Sequence, residues 1–129
     1  MIPIGEVARR ASVPASTIRY YERVGLLPAP ERQAGQRRYT EEVLLRLQVI
    51  RFARENAFTL GEIGRLLSGR PYSDRLRQLA SAKIAELERV AHRARSMQAI
   101  LRTALRCRCT TLEACGRRMA QAETRRRAP

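Results

Sequence analysis

A chain of 129 residues, with 26 basic against 12 acidic side chains and a net charge of +14, can form one small domain plus an extended element and suits a polyanionic partner such as nucleic acid. It has no run of about 18 apolar residues and no signal-peptide core in "MIPIGEVARR", so no membrane partner and a cytoplasmic location are expected. One histidine, no cleft-like carboxylate pair and no phosphate loop argue against an enzyme; the odd count of three thiols points to free thiols, a metal site or redox chemistry rather than a disulfide framework.

In chain order, Ile4, Val7, Ala8 and Ala11 give a helical stripe, broken at Ser12-Val13-Pro14. Pro14 suits the first turn of a second helix, through "PASTIRYYERV", which stops at Gly25. Two short helices joined by a tight turn make a helix-turn-helix. "LLPAPERQAGQRRY" holds two prolines and a glycine and reads as a hairpin or wing turning near Ala34-Gly35. Thr40 then N-caps a helix that turns Val43, Leu44, Leu47, Ile50 and Ala53 inward. "TLGE", Thr59 to Glu62, is a capping box opening a short helix through Ile63, Leu66 and Leu67.

The longest helix begins at Ser73-Asp74. Leu76, Ala80, Lys83, Leu87, Val90, Ala94, Met97, Leu101 and Ala104 alternate in steps of four and three, a coiled-coil seam of more than four heptads. Continuous to Arg106, that helix is about 51 Å long. A small domain cannot cover it, so a second copy of the chain is its expected partner. "CRCTTLEAC" follows and contains all three cysteines; the polar, basic end after it is expected to fray. Charge does not single out a surface: residues 1–71 carry a net +5 and residues 72–129 a net +9.

The second helix presents Ser16, Thr17, Arg19, Tyr20 and Tyr21, hydroxyl, guanidinium and phenol groups suited to a major groove and its phosphates. Arg37, Arg38 and Tyr39 in the wing offer a second set of DNA contacts. With "TIRYYERVGLL" and "RRY" at this separation, and the long helix after them, residues 2–106 resemble the MerR family of bacterial transcription regulators. The resemblance implies a mainly α fold: a winged helix-turn-helix DNA-binding domain over 1–71, then a long antiparallel coiled-coil dimerisation helix over 72–106. A cysteine effector loop over 107–118 and a basic flexible tail over 119–129 complete the expected organisation. It also implies a homodimer on double-stranded promoter DNA, acting with RNA polymerase by bending and untwisting an over-long promoter spacer. Carried over, Arg19, Tyr20 and Tyr21 serve the recognition helix and Arg38 and Tyr39 the wing.

Thiolates bind soft ions such as Cu(I), Ag(I), Au(I), Hg(II), Zn(II), Cd(II) and Pb(II), and Arg106 and Arg108 are expected to favour the thiolate form. Cys107 and Cys115, with seven residues between them, resemble the loop pair of the family's copper sensors. Ser73 stands where sensors of divalent ions place a cysteine from the other subunit, which resembles the sensors of monovalent ions. Cys109 falls outside the simple pair and offers a third thiolate for a trigonal site, suited to Hg(II) or another divalent ion. The expected cofactor is therefore a thiolate-bound soft metal ion at Cys107, Cys109 and Cys115. C-x-C-x5-C also resembles the cluster loop of the superoxide-response branch, with Ala104 in place of the opening cysteine. Redox or [2Fe–2S] sensing is the alternative, although a cluster takes four cysteines and His92 is too far up the helix to replace one within its own subunit.

Overall fold

The structure, a computed structural model, describes residues 1–128. Pro129, the last residue of the expected tail, lies outside them. The chain forms two compact units that meet within one helix, the first through Glu86 and the second from Leu87.

The first unit opens with β1 (Ile2–Pro3), α1 (Ile4–Ala11) and α2 (Ala15–Arg23). The turn between the helices places Ser12 in the left-handed region (φ 55°) and leaves Pro14 one position outside α2, at its N-cap. α2 ends on Gly25 (φ 82°), a conformation that costs glycine no Cβ clash. The reversal lets the Tyr21 carbonyl accept from Leu26 and Leu27 at 2.9 and 3.2 Å, turning both leucines into the core. β2 (Glu31–Gln33) and β3 (Gln36–Tyr39) form the wing. Ala34 and Gly35 both have positive φ, 53° and 78°, as a two-residue hairpin of the type I′ kind requires. β1 adds to the other edge of β3, giving a three-stranded antiparallel sheet in the order β1-β3-β2, with Ile2 opposite Tyr39.

α3 (Glu41–Glu55) buries Val43, Leu47, Ile50 and Ala53 and half-buries Leu44, as its spacing predicts. Thr40 occupies the N-cap position, but its side chain makes no capping hydrogen bond. Arg10 on α1 reaches the first turn of α3 in a bidentate pair with Glu41, at 3.1 and 2.9 Å. α4 (Leu60–Ser68) begins in the full capping box: the Glu62 amide donates to the Thr59 hydroxyl at 3.2 Å and the Thr59 amide to the Glu62 carboxylate at 2.8 Å. Val7, Ile18, Ile50, Ile63 and Leu66 are each at most 1 % exposed, so each of α1 to α4 plants at least one sealed apolar side chain in a shared core. Each such burial stabilises by roughly 1.5–3 kcal/mol.

α5 (Tyr72–Leu105) spans both units. Its first turns belong to the first unit, so the expected seam is divided between the two units. Leu79 is buried and Leu76 packs against the core, while Lys83, the chain's only lysine, is 4 % exposed. Lys83 is held there by Glu62 at 3.0 Å, Glu86 at 2.8 Å and the Phe58 ring at 5.2 Å. Leu76 and Lys83 are thus satisfied inside their own unit. Among the seam positions, the exposed large apolar residues start at Leu87 and continue through Val90, Met97 and Leu101.

In the second unit the cysteine segment is shorter than expected and the tail is not a frayed end. Residues 107–111 carry the loop, and α6 (Leu112–Arg127) follows. The physical reason is local. Thr111 caps α6 by accepting from the Ala114 amide at 3.2 Å. Alanine, glutamine, glutamate and arginine are good helix formers, and Glu123 pairs with Arg127 one turn on at 2.8 Å.

Candidate nucleic-acid interface and thiol site

Ile18 anchors α2 in the core with no exposure, and the residues around it divide by face. Ser16 and Arg19 are exposed, Tyr20 is 40 % exposed and Thr17 is half-buried. Tyr21 turns inward and packs against the core. Arg23, 5.7 Å from the Tyr20 ring, stacks a guanidinium on that phenol. Ser16, Arg19, Arg23 and Arg37 share the lining of one open groove of about 450 Å³ with Glu22. Three guanidiniums around an open groove suit phosphate oxygens.

The wing residues behave differently from one another. The Arg37 Nε donates to Glu22 at 3.3 Å. Arg38 is half-buried; its Nη2 reaches Gln36 at 3.4 Å and its Nε is enclosed without a partner among the described residues. Tyr39, expected as a DNA contact, is 2 % exposed, and its hydroxyl donates to the Glu22 carboxylate. Burial first, then that hydrogen bond, raises the phenol well above its ordinary range. Tyr39 therefore fastens the wing to α2 rather than facing a ligand. Glu22, which sequence reasoning passed over, is the joint: one carboxylate accepts from both Arg37 and Tyr39. Arg46 on α3 holds the segment that follows α2, donating to the Leu26 carbonyl at 2.7 Å.

The three cysteines are free and half-buried. Cys107 caps the end of α5, its amide donating to Ala104 at 3.1 Å; Cys115 sits in the first turns of α6, its amide donating to Thr111 at 3.2 Å. The sulfurs of Cys107 and Cys109 are 3.1 Å apart, and the Cys109 amide points at the Cys107 sulfur at 3.5 Å. The Cys109 thiol, the Cys109 amide and the Arg118 charge hold Cys107 below its ordinary range, and the same contact with Cys107 pushes Cys109 up. Arg118, on α6, brings to Cys107 the charge expected of Arg106 and Arg108, because it lines the same groove as that thiol. Cys107 and Cys115 line one groove of about 510 Å³ with Ile100, Ala104, Arg118 and Met119. Among the described residues no three Cys, His, Asp or Glu side chains are gathered as a ready metal cluster. The fold thus brings Cys107 to Cys109 and places Cys107 and Cys115 on a common groove, without assembling a three-thiolate site. Ser73 is exposed at the start of α5, and His92 is exposed on it, some 13 residues before its end and roughly 20 Å up the axis.

Residues 2–70 match the family described as MerR HTH family regulatory protein, and residues 44–104 match the one described as MerR, DNA binding. The chain belongs to the MerR family. The mercuric resistance operon regulatory protein of Bacillus cereus is 49 % identical over 65 residues, covering 50 % of this chain and 49 % of that relative. The chain thus spans about half the length of that relative. The HTH-type transcriptional regulator CueR of Salmonella typhimurium is 34 % identical over 100 residues, 74 % of this chain and 72 % of the relative. In structure, the transcription regulator PbrR691 from Ralstonia metallidurans CH34, solved in complex with lead(II), superposes with a TM-score of 0.75 at 34 % identity, covering 88 % of this chain and 93 % of that one. These relatives are, by their descriptions, transcription regulators. The mainly α architecture with its winged helix-turn-helix is the one this family shares. No helix of the described residues is long and apolar enough to cross a membrane.

Proposed function

We propose that this MerR-family chain binds promoter DNA as a homodimer and changes promoter output when a soft metal ion binds its cysteine loop. The observation that carries the reading is the groove shared by Cys107 and Cys115, with Arg118 beside it. Two half-buried thiols on one groove suit a monovalent ion of the Cu(I), Ag(I) or Au(I) class, or Hg(II), all of which accept two thiolates. The donor chemistry fits: Cys107 is already biased toward the thiolate that a metal requires. Ser73, a hard hydroxyl donor, adds little to a soft site from a second subunit.

On the DNA side, α2 offers Ser16, Thr17, Arg19 and Tyr20 to the major groove, and Arg37 and Arg38 flank it from the wing. Tyr21 and Tyr39 support this surface from behind. The exposed Leu87, Val90, Met97 and Leu101 on α5 supply the apolar face for the second copy. Bending and untwisting a promoter spacer costs of order 1–6 kcal/mol by elastic estimates. The metal can shift that balance only by binding one dimer conformation more tightly than the other. RNA polymerase then reads a spacer whose two elements have been brought into register. A [2Fe–2S] centre has less support, because Ala104 lines the groove and provides no fourth thiolate.

The test is an equilibrium titration of the reduced protein with Cu(I), Hg(II) and Zn(II) against a competing chelator. The reading expects about one ion per loop and proton release on binding. Affinity no greater than that of the triple Cys→Ser variant for every ion rejects it.

A further inference from the structure

Cys109 is surplus to a two-thiolate site, and its sulfur rests 3.1 Å from that of Cys107. A disulfide needs about 2.05 Å between sulfurs, so the pair must close by only about 1 Å. Both residues lie outside helix: Cys107 follows α5, and residues 107–110 have no regular structure. Cys115, in contrast, is tied into α6; it also acts on the Cys107 thiol, but the larger contact of Cys107 is with Cys109, at 3.1 Å. Arg106, Arg118 and Arg126 line the groove that holds Cys107, and Arg108 between the two thiols is exposed. Guanidiniums around a half-buried thiol attract an anionic reactant.

We propose that Cys107 and Cys109 are a dithiol that an anionic low-molecular-weight disulfide, of the glutathione disulfide class, closes into a Cys107–Cys109 bridge. The Cys107 sulfur, as thiolate, attacks one sulfur of the oxidant. The oxidant's S–S bond breaks, a mixed disulfide forms on Cys107 and one small thiolate leaves. The Cys109 sulfur then attacks the Cys107 sulfur; the mixed disulfide breaks, the protein bridge forms and a second small thiolate leaves. The two thiol protons of the protein end on the two released thiols. The protein is oxidised by two electrons and the small disulfide reduced by two. For the metal loop, a consequence that rests on the reading above, the bridge removes Cys107 as a ligand and silences the response until a reductant reopens it.

The experiment uses the full chain, reduced and metal-free, treated with glutathione disulfide or with cationic cystamine, then alkylated, digested with trypsin and mapped by mass spectrometry. The expected product has lost the mass of two hydrogens, with Cys107-Arg108 linked through sulfur to peptide 109–117, and fragment ions of that linked pair place the alkyl group on Cys115 and the bridge on Cys109. Cys115→Ser still forms this bridge, whereas Cys109→Ser stops at a glutathione adduct on Cys107. Glutathione disulfide reacts severalfold faster than cystamine, and added salt narrows that gap. A bridge that involves Cys115, or glutathione adducts without any bridge in the wild type, overturns the proposal. A Cu(I) and Hg(II) titration of the same reduced sample runs alongside. Failure to bind metal there rejects the metal reading alone, since the bridge is mapped without metal.

Discussion

Replacing Glu22 by alanine removes the acceptor shared by the recognition helix and the wing. The Tyr39 hydroxyl is then left without a partner in a site only 2 % exposed, at a cost of about 1–3 kcal/mol for an unsatisfied buried donor. Arg37 is less affected: its side chain is 32 % exposed, water replaces much of the lost pair, and that share is at most about 1 kcal/mol. The single variant should therefore lose about 2–3 kcal/mol. Tyr39→Phe removes the hydroxyl itself and should cost only about 1 kcal/mol. In the Glu22→Ala/Tyr39→Phe double variant the orphaned hydroxyl is gone, so the double should be about 1–2 kcal/mol more stable than the sum of the singles. Urea unfolding of the full chain by circular dichroism, at one protomer concentration, reads all four corners of the cycle. Additivity within about 0.5 kcal/mol would refute the claim that this carboxylate ties the wing to α2.

Three further outcomes follow from other parts of the fold. Ile18→Ala, at a position with no exposure, should destabilise by about 2–5 kcal/mol in the same urea assay, and a loss under 1 kcal/mol would contradict its place as the anchor of α2. Arg19→Ala should weaken promoter binding in a gel shift and lower its salt dependence while leaving the urea midpoint unchanged; unaltered binding would remove Arg19 from the interface. Glu62 is held at about 2, below its ordinary 4.5, by the Thr59 amide first and Lys83 second. Its folded pKa is depressed, so its contribution is complete above about 4.5 and is lost as pH falls toward about 2. Glu62→Gln should accordingly flatten the fall of stability across that window, and a parallel acid titration of both proteins would count against the capping-box pair.

What was legible in the sequence is what local chemistry determines. Gly25, the Ala34-Gly35 turn and the Thr59–Glu62 box each announce themselves within four residues, and the structure places all three where the sequence puts them. The partners of Glu22 lie 15 and 17 residues away on another element, so no window of sequence reveals them. Tyr39 illustrates a second limit. "RRY" reads the same whether the ring faces DNA or a carboxylate behind the wing, and only β3's pairing with β1 on one edge and β2 on the other decides the matter. β1 has two residues, too few for any periodicity. Lys83 looked like a polar break in a seam because its partners, Glu62 and Phe58, come from before α5. α6 escapes notice for the opposite reason: its stripe of Leu112, Cys115, Met119 and Ala122 is short, interrupted by Gly116 and never fully buried, so the helix rests largely on its cap and on residue propensity. That omission hid Arg118, whose charge acts on Cys107 only because the turns of α6 bring it there.

The central claim is that metal at the Cys107–Cys115 groove controls a promoter. The most direct measurement is single-round transcription by purified RNA polymerase from the promoter next to the protein's own gene. Wild-type protein and the Cys107→Ser/Cys115→Ser variant are compared with and without Cu(I) or Hg(II), under reducing conditions. The account predicts a metal-dependent change in transcript for the wild type, with the variant still bound to the DNA but indifferent to metal. Equal output with and without metal from a DNA-bound wild-type protein, or an unchanged response in the variant, would contradict it.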